Sequence, residues 1–391
     1  MLNFPSYAVN CLNTIKEKGY EAYFVGGCVR DAIIGRQYDD VDITTSATPD
    51  QIISIFEHTV PTGIAHGTVT VIIDGNNIEV TTYRTEKGYS DSRHPDLVNF
   101  VSDLREDLSR RDFTINALAF DPERETVDLF GGMNDLEAKI IKAVGDPLVR
   151  FKEDALRILR AFRFSSVLGM DIEDKTKDAA FKLAGTVKKV SGERILSELK
   201  KLVSGNISKD FCDFIGTGAL EPFGISSLNY DPAVFAAFGK LDSDITEKTA
   251  IFLSLTKHDF RLIKSTLKPS SALIDYLEFF DKFSTDEINL STRRDIKIAL
   301  KSYSKRFISA YLNKLSLYDT MLSEKIFEVI YDIEQADEPY LLEHLSINGN
   351  DLSRLGIKGR DIGRLLNQAL ELVIDDPTLN INDTLLKKLF D

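Results

Sequence analysis

The sequence predicts an α+β fold in which a head of mixed strands and helices precedes a long helical region. Within residues 1–120, short β-branched or aromatic runs are bounded by Gly, Asp and Asn, which is typical of strands. After Gly131-Gly132 the pattern changes, and from Leu136 onward apolar residues recur mainly at helical spacing. No apolar run approaches the roughly 18 residues of a membrane span, and no secretory signal is visible.

Four strands, one hairpin and one helix are predicted in the head. The strands are the runs 21–25, 41–45, 68–73 and 78–83. The segment 74–77, Asp-Gly-Asn-Asn, separates the last two runs and favours a tight β-hairpin turn. Pro49 predicts the start of a helix over 50–56, with Thr48 as its cap.

Two amphipathic helices are predicted in the helical region. Their apolar faces consist of Leu156, Leu159 and Phe162 in one helix and Ile195, Leu199 and Leu202 in the other. Ser191 is the expected start of the second helix. The sequence contains no internal repeat and no low-complexity tract.

The net charge and the cysteines limit the possible functions. A formal net charge of −13 argues against broad binding to duplex nucleic acid, although RNA stays possible because the charge of the contact face decides binding. Residues 150–201 contain thirteen Lys or Arg against eight Asp or Glu, and residues 293–314 contain seven against Asp295 alone. Each stretch is either a solvated helix face or a phosphate-binding surface. Three widely spaced cysteines indicate a reducing, cytoplasmic location.

The first candidate site is a pair of aspartates. Asp40 and Asp42 are two residues apart in a predicted strand, so that their carboxylates would point to one face. Carboxylate oxygens suit Mg²⁺, and a pair of metal ions can activate a hydroxyl and neutralise a leaving pyrophosphate. Glu79, on a later strand, is either a third catalytic carboxylate or an anchor for the following loop. The alternative is a surface strand with solvated acids.

Upstream of these aspartates lies a candidate polyphosphate site. Gly26 and Gly27 would let the backbone approach a polyphosphate closely. Arg30 lies in the helix expected after Gly27, where backbone N–H groups and a guanidinium can hold triphosphate oxygens. The alternative is that Arg30 merely pairs with Asp31. Together with the aspartates, this segment indicates metal-dependent nucleotidyl transfer.

A second candidate site is a stripe of charged residues. On one helix, Asp154, Arg157, Arg160 and Arg163 would recur every three residues. Cytosine and adenine both present an amino donor beside a ring-nitrogen acceptor, whereas guanine and uracil reverse that order. A carboxylate beside a guanidinium would therefore accept C or A and reject G or U. We predict this role for Asp154 and Arg157, and phosphate and sugar contacts for Arg111, Arg160 and Arg163; the alternative is an ion-pair ladder.

Four motifs together resemble a known family. They are Gly-Gly-x-x-Arg-Asp at 26–31, Asp-x-Asp at 40–42, Arg-Arg-Asp-Phe-Thr-Ile-Asn-Ala at 110–117 and Glu-Asp-x-x-Arg at 153–157. The combination is similar to the class II, bacterial-type tRNA nucleotidyltransferases, the CCA-adding enzymes. The resemblance implies a polymerase-β-like nucleotidyltransferase head with a small mixed sheet, followed by an all-α neck, body and tail. We expect the head over 1–137, the neck over 138–200, the body over 201–270 and the tail over 271–391.

The resemblance also implies an activity and its residues. The activity is template-independent addition of C, C and A to the 3′ end of tRNA, with CTP and ATP as substrates. In the family the Asp-x-Asp pair binds Mg²⁺, which here means Asp40 and Asp42. The nucleotide contacts of the family fall on Gly27, Arg30, Arg111, Asp154, Arg157, Arg160 and Arg163. The implied partners are tRNA, ATP and CTP, without a membrane, and a homodimer is one option for the assembly.

Two other functions stay open at this point. A bacterial poly(A) polymerase, or a relative that adds only CC or only A, would share the head motifs. The polar segment 84–95 resembles the complete mobile loop of full CCA synthesis, which CC-only enzymes shorten. An RNA-binding protein on the same fold is the non-enzymatic alternative, but it would gain nothing from clustered carboxylates near phosphates.

Two further segments contain residues that suit accessory sites. His258-Asp259 lacks the partner histidine of a phosphohydrolase metal set, so we interpret it as incidental. The segment 356–364 places glycines and basic residues at an expected helix start, which either holds tRNA phosphates or is a plain turn. With 293–314, it is the expected surface for the distant part of tRNA.

Overall fold

The computed structural model describes residues 2–38, 40–87, 97–285 and 288–390. The chain forms two compact units. The first contains Met1–Tyr230 and Thr256–Pro269, and the second contains Asp231–Leu255 and Ser270–Asp391. The finer division into head, neck, body and tail stays a prediction.

Most strands lie in the first half of the first unit. In chain order they are β1 (Ala22–Val25), β2 (Asp42–Thr45), β3 (Thr59–Gly63), β4 (Thr68–Ile73), β5 (Asn76–Thr82), β6 (Arg84–Lys87), β7 (Leu97–Phe100), β8 (Leu118–Asp121) and β9 (Glu125–Asp128). Among the described residues, seven of them form a mixed sheet in the order β3-β4-β5-β2-β1-β8-β9, and β6 pairs with β7. In the large sheet β2 and β5 run parallel, whereas the other neighbours run antiparallel.

Helices alternate with these strands, and after β9 the first unit is mainly helical. They are α1 (Ser6–Glu17), α2 (Gly27–Ile33), α3 (Pro49–Ile55), α4 (Leu104–Ser109), α5 (Gly132–Glu137), α6 (Pro147–Glu153), α7 (Leu156–Leu168), α8 (Asp174–Lys182), α9 (Gly192–Leu202) and α10 (Lys209–Gly216). The short strands β10 (Ile140–Ile141) and β11 (Asp171–Ile172) pair in parallel between them. The predicted α+β fold, with a mixed head and a mainly helical remainder, is confirmed.

The chain enters the second unit, returns once to the first and then stays in the second. After β12 (Ile225–Ser227), α11 (Pro232–Gly239) and α12 (Ile245–Leu255) belong to the second unit. The first unit is completed by β13 (Lys257–His258), which pairs with β12, and by α13 (Phe260–Thr266). The second unit continues with α14 (Ser271–Thr285), α15 (Arg293–Ser302), α16 (Lys305–Leu315), α17 (Thr320–Gln335), α18 (Gly349–Arg354), α19 (Arg360–Asp375) and α20 (Asn382–Phe390). None of the described helices has both the length and the apolar character needed to cross a bilayer.

The predicted turn and helix cap are present in the head. Asp74 and Gly75 both adopt left-handed backbone conformations, with φ of 52° and 77°, and they join β4 to β5 as a tight antiparallel hairpin. At the start of α3, the Thr48 hydroxyl accepts from Gln51 N, and Thr48 N donates to Gln51 Oε1 at 2.9 Å. These two bonds form a capping box, so local side-chain chemistry specifies the helix start.

Several strands were not predicted from sequence. β3 contains Pro61, lies at the edge of the sheet and is largely exposed, so it lacks the usual strand pattern. β8 has only four residues, and all four are buried, which removes the alternation expected of a half-buried strand. Both strands can therefore be recognised only from their pairing with neighbouring strands in the sheet.

The apolar faces predicted for α7 and α9 are buried in the core of the first unit. All six residues of these faces are buried, and α7 packs against α9. The Phe162 ring contacts the rings of Phe181, Phe211 and Phe214 at centroid distances of 6.4, 5.5 and 4.7 Å. This packing leaves the opposite side of α7 available for charged residues.

Candidate active site

A cleft of about 480 Å³ in the first unit collects most of the residues predicted from sequence. Its walls come from the start of α2, the segment before β2, residues 111–116, α7 and the end of α9. The lining residues are Gly26, Gly27, Cys28, Arg30, Asp31, Gln37, Tyr38, Asp40, Asp42, Arg111, Asp112, Asn116, Arg160, Arg163, Phe164 and Lys201. Three predicted residues lie outside this lining, namely Glu79, Asp154 and Arg157.

The glycine pair permits a close approach of charged side chains to the backbone. Gly26 has a φ of 80°, which disfavours other residues. A Cβ atom on Gly26 would lie 3.1 Å from Arg111 Nη1 and 3.9 Å from Asp42 Oδ2. Glycine at this position therefore leaves room for the Arg111 guanidinium beside the Asp42 carboxylate.

The two aspartates reach the cleft differently from the prediction. Asp42 begins β2 and is half-buried, whereas Asp40 precedes the strand and is exposed. The expectation that both lie on one strand is therefore wrong, because the pairing of β2 with β1 and β5 begins only at residues 42 and 43. Both carboxylates nevertheless line the same cleft.

The environment of Asp42 fits a divalent cation. Burial and, after it, the negative charges of Glu79 and Asp40 raise the pKa of the Asp42 carboxyl to about 6, against the opposing charge of Arg111. A cation beside this carboxylate would remove the unfavourable concentration of negative charge. Within the described parts of the chain, no three His, Cys, Asp or Glu side chains are grouped as metal ligands. A hard ion such as Mg²⁺ needs only one or two protein carboxylates when substrate phosphates and waters complete its shell.

Glu79 is a neighbour of Asp42 in the sheet. The two residues are register partners in the parallel pair of β2 and β5. Glu79 is exposed. Its role as a third carboxylate or as a loop anchor stays a prediction.

Arg30 links α2 to Asn116, another residue that lines the cleft. It lies in α2, is 7% exposed, and its Nη2 lies 2.7 Å from Asp31 Oδ2. Its Nη1 also donates to Asn116 Oδ1 at 2.6 Å. The pairing with Asp31 considered from sequence is thus present, and it coexists with a position in the lining of the cleft.

Asp112 and Asn116 extend this network, and neither was predicted from sequence as a site residue. Asp112 Oδ1 accepts from Asn116 Nδ2 at 3.0 Å, and Asp112 Oδ2 lies 2.6 Å from Arg160 Nη2. Burial alone would raise the pKa of Asp112, but Arg160 and Asn116 hold it well below its usual range. Their spacing of four residues within the motif 110–117 was the one feature of the sequence that could have indicated their contact.

Glu198 on α9 balances the arginines of α7. Its Oε2 lies 2.7 Å from Arg163 Nε, and its Oε1 lies 3.8 Å from Arg160 Nη1. Glu198 is 5% exposed. A buried carboxylate requires charge partners. The partners of Glu198 lie on α7, so its role could be predicted from sequence only with the packing of α7 against α9 already known.

The predicted continuous stripe on one helix is wrong at its first member. α6 ends at Glu153 and α7 begins at Leu156, and Asp154 between them is extended, with φ of −140°. The Asp154 carboxylate accepts from Leu156 N at 3.0 Å and therefore interrupts the helix. Its other oxygen, Oδ2, lies 2.7 Å from Arg194 Nη2.

Arg157 has its own set of partners. Its Nη1 lies 2.7 Å from Glu153 Oε2, and its Nη2 donates to Arg110 O at 3.0 Å. Asp154 and Arg157 are thus both engaged in ion pairs with other residues in this conformation. Their selection of the base stays a prediction.

The basic stretch 293–314 is largely paired within the second unit. The pairs are Arg293–Glu338 (2.6 Å), Lys297–Glu338 (2.5 Å), Arg294–Asp375 (2.5 Å) and Lys305–Glu334 (2.7 Å). These contacts pair four of the seven basic side chains with acids, which leaves less positive charge for a phosphate-binding surface.

The other two predicted features, the basic segment 356–364 and the loop 84–95, stay predictions. Lys358 and Arg360 are exposed on either side of Gly359, which has a φ of 63° and precedes α19, and a phosphate contact there stays a prediction. The loop predicted over 84–95 begins with β6, and its residues from 88 onward lie outside the described residues. Asp39 lies outside them as well.

Two protein-family models match the chain. The Poly A polymerase head domain matches residues 22–142, which include the glycine pair, both aspartates and Arg111. A model described as the probable RNA and SrmB-binding site of polymerase A matches residues 169–223, which include Glu198 and Lys201. The first model thus covers the large sheet and the second covers α8 to α10.

Several CCA-adding enzymes are similar to this chain over nearly their whole length. The CCA-adding enzyme of Lactobacillus helveticus (strain DPC 4571) is 38% identical over 398 residues, covering 98% of this chain and 96% of the relative. That of Staphylococcus haemolyticus (strain JCSC1435) is 39% identical over 388 residues, covering 96% and 95%. The crystal structure of the Bacillus stearothermophilus CCA-adding enzyme in complex with CTP has a TM-score of 0.77 at 27% identity, covering 98% of this chain and 96% of that one.

Proposed function

The chain belongs to the family of CCA-adding enzymes, and we propose that it adds C, C and A to the 3′ end of tRNA from CTP and ATP. One observation carries the proposal: a single cleft combines two acidic side chains suited to a divalent metal with cations suited to a triphosphate. The acids are Asp40 and Asp42, and the cations are Arg30, Arg111, Arg160 and Arg163.

The cysteines Cys11, Cys28 and Cys212 are all unpaired and buried, which supports a reducing, cytoplasmic location.

The proposed substrate position follows from the charges of the cleft. The Gly26-Gly27 backbone and the four arginines would hold the triphosphate. Asp40 and Asp42 would hold Mg²⁺, which when bound activates the 3′ hydroxyl of tRNA and neutralises the leaving pyrophosphate. The arginines would bind the β- and γ-phosphates, which leave together as pyrophosphate.

Base selection is assigned to Asp154 and Arg157. Their present partners, Arg194 and Glu153, must yield to the base when CTP or ATP binds. C and A offer the same donor and acceptor order to such a pair, whereas G and U offer the reverse. One pair of side chains can therefore serve both nucleotides without a template.

Incubation of the purified protein with tRNA that lacks its 3′ CCA tests the proposal. The reaction contains Mg²⁺ and each of the four nucleoside triphosphates, singly and together, and products are resolved to single nucleotides. We expect addition that stops after C, C and A. Continued addition of A would identify a poly(A) polymerase, addition of CC alone would identify a partial enzyme, and no addition with retained RNA binding would identify a binding protein.

A further inference from the structure

Three arginine side chains of the cleft surround one aromatic ring. The Cζ atom of Arg163 lies 3.8 Å from the centroid of the Phe164 ring, that of Arg30 lies 5.0 Å away, and that of Arg160 lies 5.3 Å away. Phe164 lines the cleft but is only 4% exposed. Arg30 comes from α2, whereas the other two arginines come from α7, so one ring contacts cations from two separate elements.

Such a cluster of like charges requires compensation. Burial, together with the charges of Arg160 and Arg30, lowers the pKa of Arg163 to about 10, against the opposing charge of Glu198. Each arginine has one principal acidic partner: Asp31 for Arg30, Asp112 for Arg160 and Glu198 for Arg163. The negative face of an aromatic ring adds an attraction for all three cations.

The ring itself is held in place. The Phe113 ring packs edge-on against Phe164 at a centroid distance of 5.7 Å and an interplanar angle of 80°. Phe113 is fully buried and belongs to the motif that also contains Arg111 and Asp112. The orientation of Phe164 is therefore coupled to the segment that supplies the ion-pair network.

We propose that Phe164 is a positioning residue that holds the guanidinium groups of Arg30, Arg160 and Arg163 in place to receive a triphosphate. A guanidinium has five N–H donors, and a carboxylate partner occupies at most a few of them. The ring stabilises the plane of each group, and the unused donors serve the cleft that all three arginines line. This inference rests on the proposed function and extends it to a residue that touches no reacting atom.

The test is the affinity of Phe164→Leu for inorganic tripolyphosphate and for CTP, measured by isothermal titration calorimetry. Leucine keeps an apolar side chain but removes the aromatic face. We expect binding of both ligands to weaken by about tenfold, which corresponds to the loss of a partly desolvated cation–π contact. KM for CTP and for ATP should rise by the same factor, since the two share the triphosphate, whereas KM for tRNA should change by less than about twofold.

Phe162→Leu is the matched control. Phe162 lies on the same helix, is 1% exposed and packs against other phenylalanines rather than arginines. Both variants should lower the melting temperature by similar amounts, and only Phe164→Leu should weaken tripolyphosphate binding. Unchanged tripolyphosphate affinity in Phe164→Leu would show that the ring has only a structural role and would overturn the proposal.

A second pair of variants covers the case in which Phe164→Leu does not fold. Phe164→Tyr retains the ring and should keep tripolyphosphate affinity within about threefold of the wild type. Arg163→Lys keeps the charge but loses the planar group, and it should weaken tripolyphosphate binding even though its charge is unchanged. Wild-type affinity in Arg163→Lys would contradict the assignment. Because these measurements need no tRNA, a protein that binds tripolyphosphate as expected but adds no nucleotide would refute the proposed function and not this inference.

Discussion

The carboxylate of Asp112 lies 2.6 Å from the guanidinium of Arg160, although the two residues are far apart in the sequence. This contact joins the segment that follows α4 to the helix α7. Through Asn116 the same network reaches Arg30 in α2. The contact therefore links the polyphosphate side of the cleft to the helix that supplies two of its cations.

Removal of the Asp112 carboxylate should destabilise the first unit. Asp112→Ala leaves Arg160 and Asn116 without their shared partner. Breaking a fully buried ion pair costs about 3–5 kcal/mol, and since the Arg160 side chain is 32% exposed we expect a smaller loss, of about 2–3 kcal/mol. Urea unfolding followed by circular dichroism measures this loss. Glu123→Ala is the control, because the Lys16–Glu123 pair at 2.6 Å involves a Glu123 side chain that is 71% exposed, and it should cost less than about 1 kcal/mol. Equal losses in the two variants would contradict the structural role of Asp112.

The same carboxylate should make stability depend on acid pH. The folded-state pKa of Asp112 lies below its usual value, because Arg160 and Asn116 outweigh the effect of burial. Its contribution is therefore fully present above the unfolded pKa of about 4 and is lost as the pH falls from there toward the folded pKa. The free energy of unfolding should decrease more steeply below pH 4 in the wild type than in Asp112→Asn. Parallel curves from urea titrations at pH 3 to 6 would disprove the assignment.

Asp40→Asn and Asp42→Asn should each abolish nucleotide addition while the fold persists. Loss of a proposed metal ligand should reduce the rate by more than about a hundredfold, since even outer-shell partners contribute 10–100-fold. Asp42→Asn should not lower the melting temperature, because burial and the neighbouring charges disfavour this carboxylate in the folded protein. EDTA should stop the wild-type reaction, and added Mg²⁺ should restore it. The control is Asp50→Asn, an exposed carboxylate in the first turn of α3, which should retain activity.

Asp154→Ala should relax the selection of the base. Each well-placed pair of contacts to a base contributes about 1–3 kcal/mol of discrimination, so misincorporation of G and U relative to C and A should rise by roughly tenfold or more. Single-nucleotide addition assays with each triphosphate measure the ratio. Lys152→Ala, at a neighbouring exposed position of α6, should leave it unchanged.

Arg157→Ala should relax selection as well, but at a greater cost in stability. Arg157 is only 9% exposed, and its guanidinium contacts Glu153 and the Arg110 carbonyl. Loss of these contacts leaves buried polar groups unpaired, which costs about 1–3 kcal/mol each. Unchanged rejection of GTP and UTP by both variants would show that other residues read the base.

Local patterns accounted for much of the fold and part of the cleft. The Asp-Gly hairpin, the Thr48 cap and the apolar faces of α7 and α9 depend on neighbouring residues, so their chemistry is visible along the chain. The glycine pair and the Asp-x-Asp spacing likewise led to residues that line the cleft. The predicted helix through Asp154 was wrong, because Asp154 ends α6 in an extended conformation and its side chain accepts from Leu156 N.

The sequence by itself therefore determined the types of residue that the chemistry requires: carboxylates for a metal, cations for phosphates and glycines for close approach. Only the tertiary structure decided which acid neutralises which arginine and which ring lies beneath them. Asp112 with Arg160, Asn116 with Arg30, and Arg194 with Asp154 are separated by 48, 86 and 40 residues. Such partners are chosen by the packing of α2, α7 and α9, because burial makes an unpaired charge costly wherever the chain folds it inward.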